Sequence, residues 1–363
     1  MCWLNRSLLY PLVIISFIVG ICSCIQDPSG RNEVEGYSEK TTDPDTIPLQ
    51  KVRLLPYWNT TAQFAGYYIG IEEGIFRKYG IDLEIVPYLP TDQPDKMITN
   101  KEADFFLLWL VNAIDMKDSG LDIVNIAQLS SRSSLMLVVK KSSGIETIAD
   151  MEGKQAAIWS DYTLQPTALF RKNHVNVKII PIGSSNNLFL TDGVEIINAS
   201  WFDEYHTILN SGYNADELET FFFSDYGLNF LEDGIYCLRS TLSKDPELCK
   251  RFVEATIESW KYAFDHPDQA INVILTEQKK QKKPANLSHQ RWMLDRYRDL
   301  YYPESEKGIN TNLSESDYQT ISKVLLEAGL IGLIPPYRDI YSPVLIEEIN
   351  TQDKPKSRFK DMN

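Results

Sequence analysis

The stretch "YWNTTAQFAGYYIGIEEGIFRKYG", Tyr57 to Gly80, sets aromatic and amide side chains where a buried strand gives way to a helix. Aliphatic residues would serve packing alone. Trp58 offers a flat wall, and Asn59 and Gln63 each present a donor and an acceptor. Gln63 and Tyr67 stand four residues apart, on one face of the helix expected in "AQFAGYYIGIEEGIFRKYG". The set suits a planar heterocycle with a mixed hydrogen-bonding edge. It also suits packing of a lobe edge and capping of the helix. Glu204 follows Trp201 by three residues on a second helix. There it can accept from an amino group on a ring stacked against the indole, or simply be solvated. Asp161 stands at a helix entry beside Trp159 and Tyr162. Even as a cap it disfavours an anion at the helix amides. Arg132, in "SSRSSLM", is open to ligand contact or to bridging between lobes.

No GxSxG, HExxH or phosphate-loop pattern occurs, and no carboxylate pair is catalytic by spacing. The four His are scattered and no Cys/His cluster exists, so neither a metal nor a cofactor is expected. The net charge of -14 denies a basic field to a phosphate backbone, which excludes nucleic acid as a partner. The run "KKQKK", Lys279 to Lys283, reads as a solvated loop or helix end.

The elements that must hold these residues alternate. "KVRLLPY" and "IDLEIVPY" read as strands flanking the helix of "AQFAGYYIGIEEGIFRKYG". "DKMITNKEAD" reads as a helix, and "FFLLWLV", "VNIAQLS" and "LMLVVKK" as strands. The pattern then restarts, with strands in "KQAAIWS", "VKIIPI" and "VEIINASW" and helices in "LQPTALFRKNHV" and "FDEYHTILNSGY". "GLNFLEDGIYCLR" returns to strand. From Lys244 onward the chain is helical and broken at Pro267. Two α/β lobes follow from this doubling, and 363 residues exceed what one core usually takes. The expected crossings lie near Val138–Ser142 and Cys237–Ser240. Lobe one is then 51–138 plus 239–350, lobe two is 139–238, and 351–363 is a polar tail. Ligands in open α/β sheets sit at the carboxyl ends of strands. That gathers Trp58, Trp109, Ser130 to Arg132, Trp159 to Tyr162 and Trp201 around one space.

The N-terminus differs from the rest. "MCWLNRS" carries one Arg, and "LLYPLVIISFIVGI" is an uncharged run too short for a comfortable membrane span. It ends in "ICSC". Residues 1–23 read as a lipoprotein signal with lipidation at Cys24, Cys22 being the other candidate, or as an uncleaved anchor. Residues 24–50 are polar and rich in Pro, Gly, Ser and Asp, as a flexible tether is. A location in the cell envelope, outside the cytoplasm, is expected. Cys237 and Cys249 are open to one disulfide or to two buried thiols.

"AQFAGYYIGIEEGIFRKYGIDLEIVPY" resembles the opening motif of periplasmic binding proteins of the thiamine-pyrimidine-precursor class. These are related to the nitrate, taurine and aliphatic-sulfonate binding proteins of ABC importers. "DEYHTILNSGYNADELETFFFSDYGLNFLEDGIYC" resembles a second block of that class, in which an E-Y pair precedes a D-Y-G-x-N-F segment. Glu204 and Tyr205 fall on the pair; Tyr226 and Asn229 fall in the segment, where they are also open to closing the second crossover. The resemblance spans about residues 50 to 350. It implies a type II periplasmic-binding-protein fold with two interlobe crossovers. The expected protein is a monomer that closes on a small aminopyrimidine-like solute and docks on an ABC permease. Binding, not chemistry, is the implied role. The fungal enzymes of the class resemble a clustered-cysteine pattern that is absent here. A flavin precursor or sulfonate as ligand, or a sensory partner in the membrane, are the rival readings.

Overall fold

Runs of β-branched and aromatic residues become two five-stranded sheets. The structure is a computed structural model that describes residues 48–89, 92–160, 162–302 and 308–345. Cys22, Cys24, the expected tail 351–363 and Asp161 lie outside the described residues. Lobe one takes β1 (Gln50–Leu55), β2 (Ile81–Ile85), β3 (Phe105–Leu108) and β4 (Ile123–Gln128). Lobe two takes β5 (Leu135–Lys140), β6 (Gln155–Trp159), β7 (Lys178–Ile182), β8 (Ile196–Ser200) and β9 (Leu218–Phe222). The chain then returns to lobe one as β10 (Gly234–Leu238).

The strand orders are β2-β1-β3-β10-β4 and β7-β6-β8-β5-β9. The two sheets therefore repeat one plan. Three parallel strands come first, and the fourth place is filled by an antiparallel strand fed straight from a crossover. β10 runs antiparallel to both β3 and β4, and β5 antiparallel to both β8 and β9. The crossings occupy residues 129–134 and 223–233, ahead of the boundaries expected at 138/139 and 238/239. "LMLVV" and "GIYCL" carry no charge and no alternation, so nothing local shows which sheet each one joins.

Three elements differ from the sequence expectation. "FFLLWLV" is a strand only to Leu108; Trp109 is extended and the helix Leu110–Asp118 starts behind it. A uniformly apolar run hides such a change because it has no period. "LETFF" is the edge strand β9, which the sequence reading did not foresee. "GLNFLED" is irregular, and only the last part of that run is strand.

Lobe one's core fills the space between its sheet and the helix Pro246–Asp265. Phe105 stacks on Phe252 at 4.1 Å between centroids. The helix Ala65–Glu72 lies against the same helix through two glycines. A Cβ on Gly66 would stand 2.4 Å from the Trp260 ring, and one on Gly70 would stand 2.1 Å from Ser259 Oγ. Cys237 and Cys249 are both free thiols buried in this core. A second cluster joins Phe106 and Leu108 of lobe one to Leu135, Leu137 and Phe221 of lobe two.

Candidate ligand-binding site

The carboxyl ends of β1, β3, β6 and β8 converge on one cleft. Its cavity has an empty volume of about 490 Å³, part of it open to solvent. Trp58 and Gln63 come from the chain after β1, Trp109 from the end of β3, Trp159 and Tyr162 from the end of β6, and Glu204 from the first turn of the helix Glu204–Asn210. Pro56, Tyr57, Leu107, Ser200, Phe202, Asp203 and Asp233 complete the lining.

Tyr162 of lobe two stands among the aromatic rings. Its centroid is 4.4 Å from Trp109, 6.3 Å from Trp58 and 6.4 Å from Tyr57, all of lobe one. Trp159 lies 6.0 Å from Tyr162 with the planes at 84°. The Trp159 N–H donates to Asn198 Oδ1 at 3.1 Å, which fixes the end of β6 to its neighbour β8. Tyr57 has φ of 60°, a left-handed conformation that costs a side-chain-bearing residue about 1–2 kcal/mol. It is held there by contacts on both sides, including the Tyr88 ring at 5.2 Å.

The polar lining is acidic. Glu204 Oε2 accepts from Ser200 Oγ at 2.6 Å and from Ser200 N at 3.1 Å. Burial, and then the charge of Asp203, pushes the Glu204 carboxyl up to about 8. Asp203 Oδ1 accepts from His289 Nε2 at 2.9 Å, a contact from lobe two to the helix Leu287–Tyr301. His289 meets His206 with their Nδ1 atoms 2.8 Å apart, and the His206 ring stacks on Trp292 at 4.7 Å. Asp233 is 3% exposed at φ of 54°. It accepts from the Tyr297 hydroxyl at 2.7 Å and from Gln63 Nε2 at 3.4 Å. Burial raises it to about 6, against the lowering effect of those donors. Behind it Glu232 accepts from Ser133 Oγ and Ser134 N, and burial followed by the charge of Asp233 raises it to about 8. The described lining contains no Lys or Arg.

Of the residues singled out in the sequence, Trp58, Gln63, Trp109, Trp159, Tyr162 and Glu204 share this cavity. The others lie elsewhere. Asn59 Oδ1 accepts from Lys283 Nζ at 2.6 Å. Phe64 and Tyr67 are buried in the lobe-one core, with Tyr67 edge-on to Trp260. Its place on its helix turns Tyr67 toward the helix Pro246–Asp265. Tyr205 is in the lobe-two core. Trp201 packs beneath the Arg296 guanidinium at 4.5 Å, and its carbonyl accepts from Trp292 Nε1 at 3.0 Å. Arg132 reaches Ser224 and Asp225, tying the first crossover to the second. Asn229 does the same by accepting from Ser133 N at 2.8 Å. Tyr226 lies beside Phe221, its carbonyl accepting from Lys172. The sequence reading passed over Asp203 although it sits in "WFDEY" beside Glu204. It missed Asp233 because the residue was counted as part of a strand.

Residues 61–270, more than half of the chain, match the family described as NMT1/THI5 like. The chain belongs to this family. The formylaminopyrimidine-binding protein of Halalkalibacterium halodurans is 19% identical over 248 residues, covering 66% of this chain and 74% of that protein. A Haemophilus influenzae protein provisionally named for thiamine biosynthesis is 22% identical over 152 residues; the match covers 42% of this chain and 45% of that protein. The periplasmic aliphatic sulphonate binding protein SsuA of Escherichia coli superposes with a TM-score of 0.61 at 14% identity, covering 85% of this chain and 97% of that one. The fold is that of the periplasmic binding proteins, as the family resemblance of the sequence implied. The Halalkalibacterium halodurans relative and the Escherichia coli neighbour are both named as binding proteins. No helix of the described residues is long and apolar enough to cross a membrane.

Proposed function

We propose that this chain is a lipid-anchored receptor, outside the cytoplasm, that delivers a small planar heterocycle to an ABC importer, and that the solute is a thiamine pyrimidine precursor. The observation that carries the reading is the lining of the cleft. Trp58, Trp109, Trp159 and Tyr162 supply aromatic faces, while Gln63 and Glu204 supply an edge that can read ring nitrogens and an amino group. A sulfonate calls for amide and cationic donors, and this lining brings Asp203, Glu204 and Asp233 instead. The match to a formylaminopyrimidine-binding protein supports the same ligand class. The anchor rests on "ICSC" ahead of a polar tether. Closure of the lobes over the ligand would mark the loaded receptor for its permease.

The test is a thermal-shift series on the full chain in detergent with 4-amino-2-methylpyrimidine derivatives, thiamine, riboflavin, taurine and alkanesulfonates. An aminopyrimidine at about a hundred times its dissociation constant adds about 2.7 kcal/mol of stability and raises the melting temperature. A shift with a sulfonate alone would leave a receptor but discard this ligand.

A further inference from the structure

We propose that the cleft selects a planar cation and that Asp233 is its counter-ion, the lobe-one residue that sets specificity for charge. The proposal rests on the reading of the cleft as a heterocycle site and adds the charge of the solute to it. Asp233 lines the cavity, yet it is among the most buried carboxylates of the chain. Its donors, the Tyr297 hydroxyl and Gln63 Nε2, are both neutral. Among the described residues no Lys, Arg or His forms an ion pair with it. Glu232, adjacent in sequence and 1% exposed, adds a second acidic group behind it. Burying a carboxylate without a compensating cation is costly, and a carboxylate so placed in a cleft is a candidate for a functional role.

The surroundings supply the rest of a cation site. Tyr57, Trp58, Trp109, Trp159 and Tyr162 present π faces around the same space, and a cation placed over such faces is attracted by their quadrupoles. Asp233 is also held in place from several directions. Gly234 follows it where a Cβ would stand 2.5 Å from Asn125 Nδ2, so the backbone is pressed close against β4. Asp233 itself has a left-handed φ of 54°, and its carboxylate lines the cavity while bonded to Tyr297 and Gln63. The groups facing it are Gln63, Tyr297, Tyr301 and Glu232 from lobe one, with Asp203 and Glu204 across the cleft. Burial leaves Glu204 protonated and Asp233 ionised near neutral pH, so the two carboxyls play different parts: donor and counter-ion.

The decisive comparison uses two probes of one shape, 4-aminopyridine, a cation at neutral pH, and aniline, which is neutral. Each is titrated into the full chain in detergent at pH 7, with 4-amino-2-methylpyrimidine alongside. We expect 4-aminopyridine to bind at least about tenfold more tightly than aniline, a difference of about 1.4 kcal/mol. In Asp233→Asn the ratio falls to near one. In Glu204→Gln overall affinity drops while the preference for the cation remains. Should Asp233→Asn fail to fold, the parent measured again at pH 5.5 decides, because protonating Asp233 must cut the ratio severalfold. Equal binding of the two probes, or a preference that survives both Asp233→Asn and acidification, overturns the proposal. If 4-amino-2-methylpyrimidine binds while the charge preference is missing, the heterocycle receptor stands and only this inference falls. If none of the three binds, both readings fall together.

Discussion

Tyr162 reaches from lobe two into a group of lobe-one rings, and Trp201 lies outside that group under Arg296. The two aromatics therefore have opposite expected phenotypes. Tyr162→Ala weakens ligand binding by about tenfold or more in the protein that remains folded, since stacking and burial together exceed about 1.4 kcal/mol. Trp201→Ala costs about 3–5 kcal/mol of stability, with affinity nearly unchanged in the protein that remains folded. Calorimetric titration and urea denaturation on both variants check the pair; a stable Trp201→Ala that no longer binds would put Trp201 back in the site. The sequence reading singled out Trp58, Trp109 and Trp159 because strands lead into them, a position that can be read from local pattern, and Glu204 because it follows Trp201 by three residues and falls on the E-Y pair. It did not separate Tyr67 or Tyr205 from them. An aromatic on a helix faces core or cleft according to how that helix is rolled, and the roll is set by distant residues such as Trp260. Asp233 was harder still, since its value depends on Tyr297 and Gln63, both remote in sequence.

The helices Ala65–Glu72 and Pro246–Asp265 meet where the Trp260 ring packs on Gly66 and the Ser259 side chain on Gly70. A helix in "AQFAGYYIGIEEGIF" was visible in the sequence, but the two glycines four residues apart mark where its partner packs. Their partner is a helix nearly two hundred residues away, which a local period cannot reveal. Gly66→Ala forces the Trp260 indole or a whole helix to move. Its expected cost is about 1–3 kcal/mol, read as a lower urea midpoint at unchanged slope. An Ala tolerated there would mean that the helix pair has slack at this point. A second contact between elements works through titration. His206 is held below its ordinary value by burial and then by His289. It sits on the lobe-two helix Glu204–Asn210, against a residue of Leu287–Tyr301. Protonation of His206 is disfavoured in the folded state, so acidification below about pH 6.5 loosens the contact between the helices. His206→Phe keeps the stack on Trp292 and removes that acid sensitivity, which the pH dependence of ligand release rates would reveal.

For the molecule as a whole, the buried acids make stability depend on pH in a direction opposite to that of surface carboxylates. Glu204 and Glu232 are each raised to about 8, so the folded chain holds protons that the unfolded chain, with carboxyls near 4.3, has released. Stability therefore falls as pH rises toward 8. His206 has the opposite sign only below about pH 6.5, which leaves pH 6.5 to 8.5 as the clean window. There the unliganded protein should lose on the order of 1 kcal/mol per pH unit, and Glu232→Gln should flatten the slope. Scanning calorimetry across the window would show it; a flat parent profile would mean that these carboxyls ionise without penalty. The doubled α/β plan was legible because alternation of strand and helix is local. The crossings were not, because β5 and β10 look like any other buried strand. Their exchange has a consequence for the order in which the molecule is made. Lobe two is one unbroken stretch of chain, complete as soon as β9 has been synthesised. Lobe one begins first and finishes last, since Gly234 must pair with Gln128 across the whole of lobe two before its sheet closes. Such distant pairings form slowly. The half carrying Trp58 and Trp109 thus waits, with β3 and β4 exposing unpaired edges, until the other half of the cleft has been built.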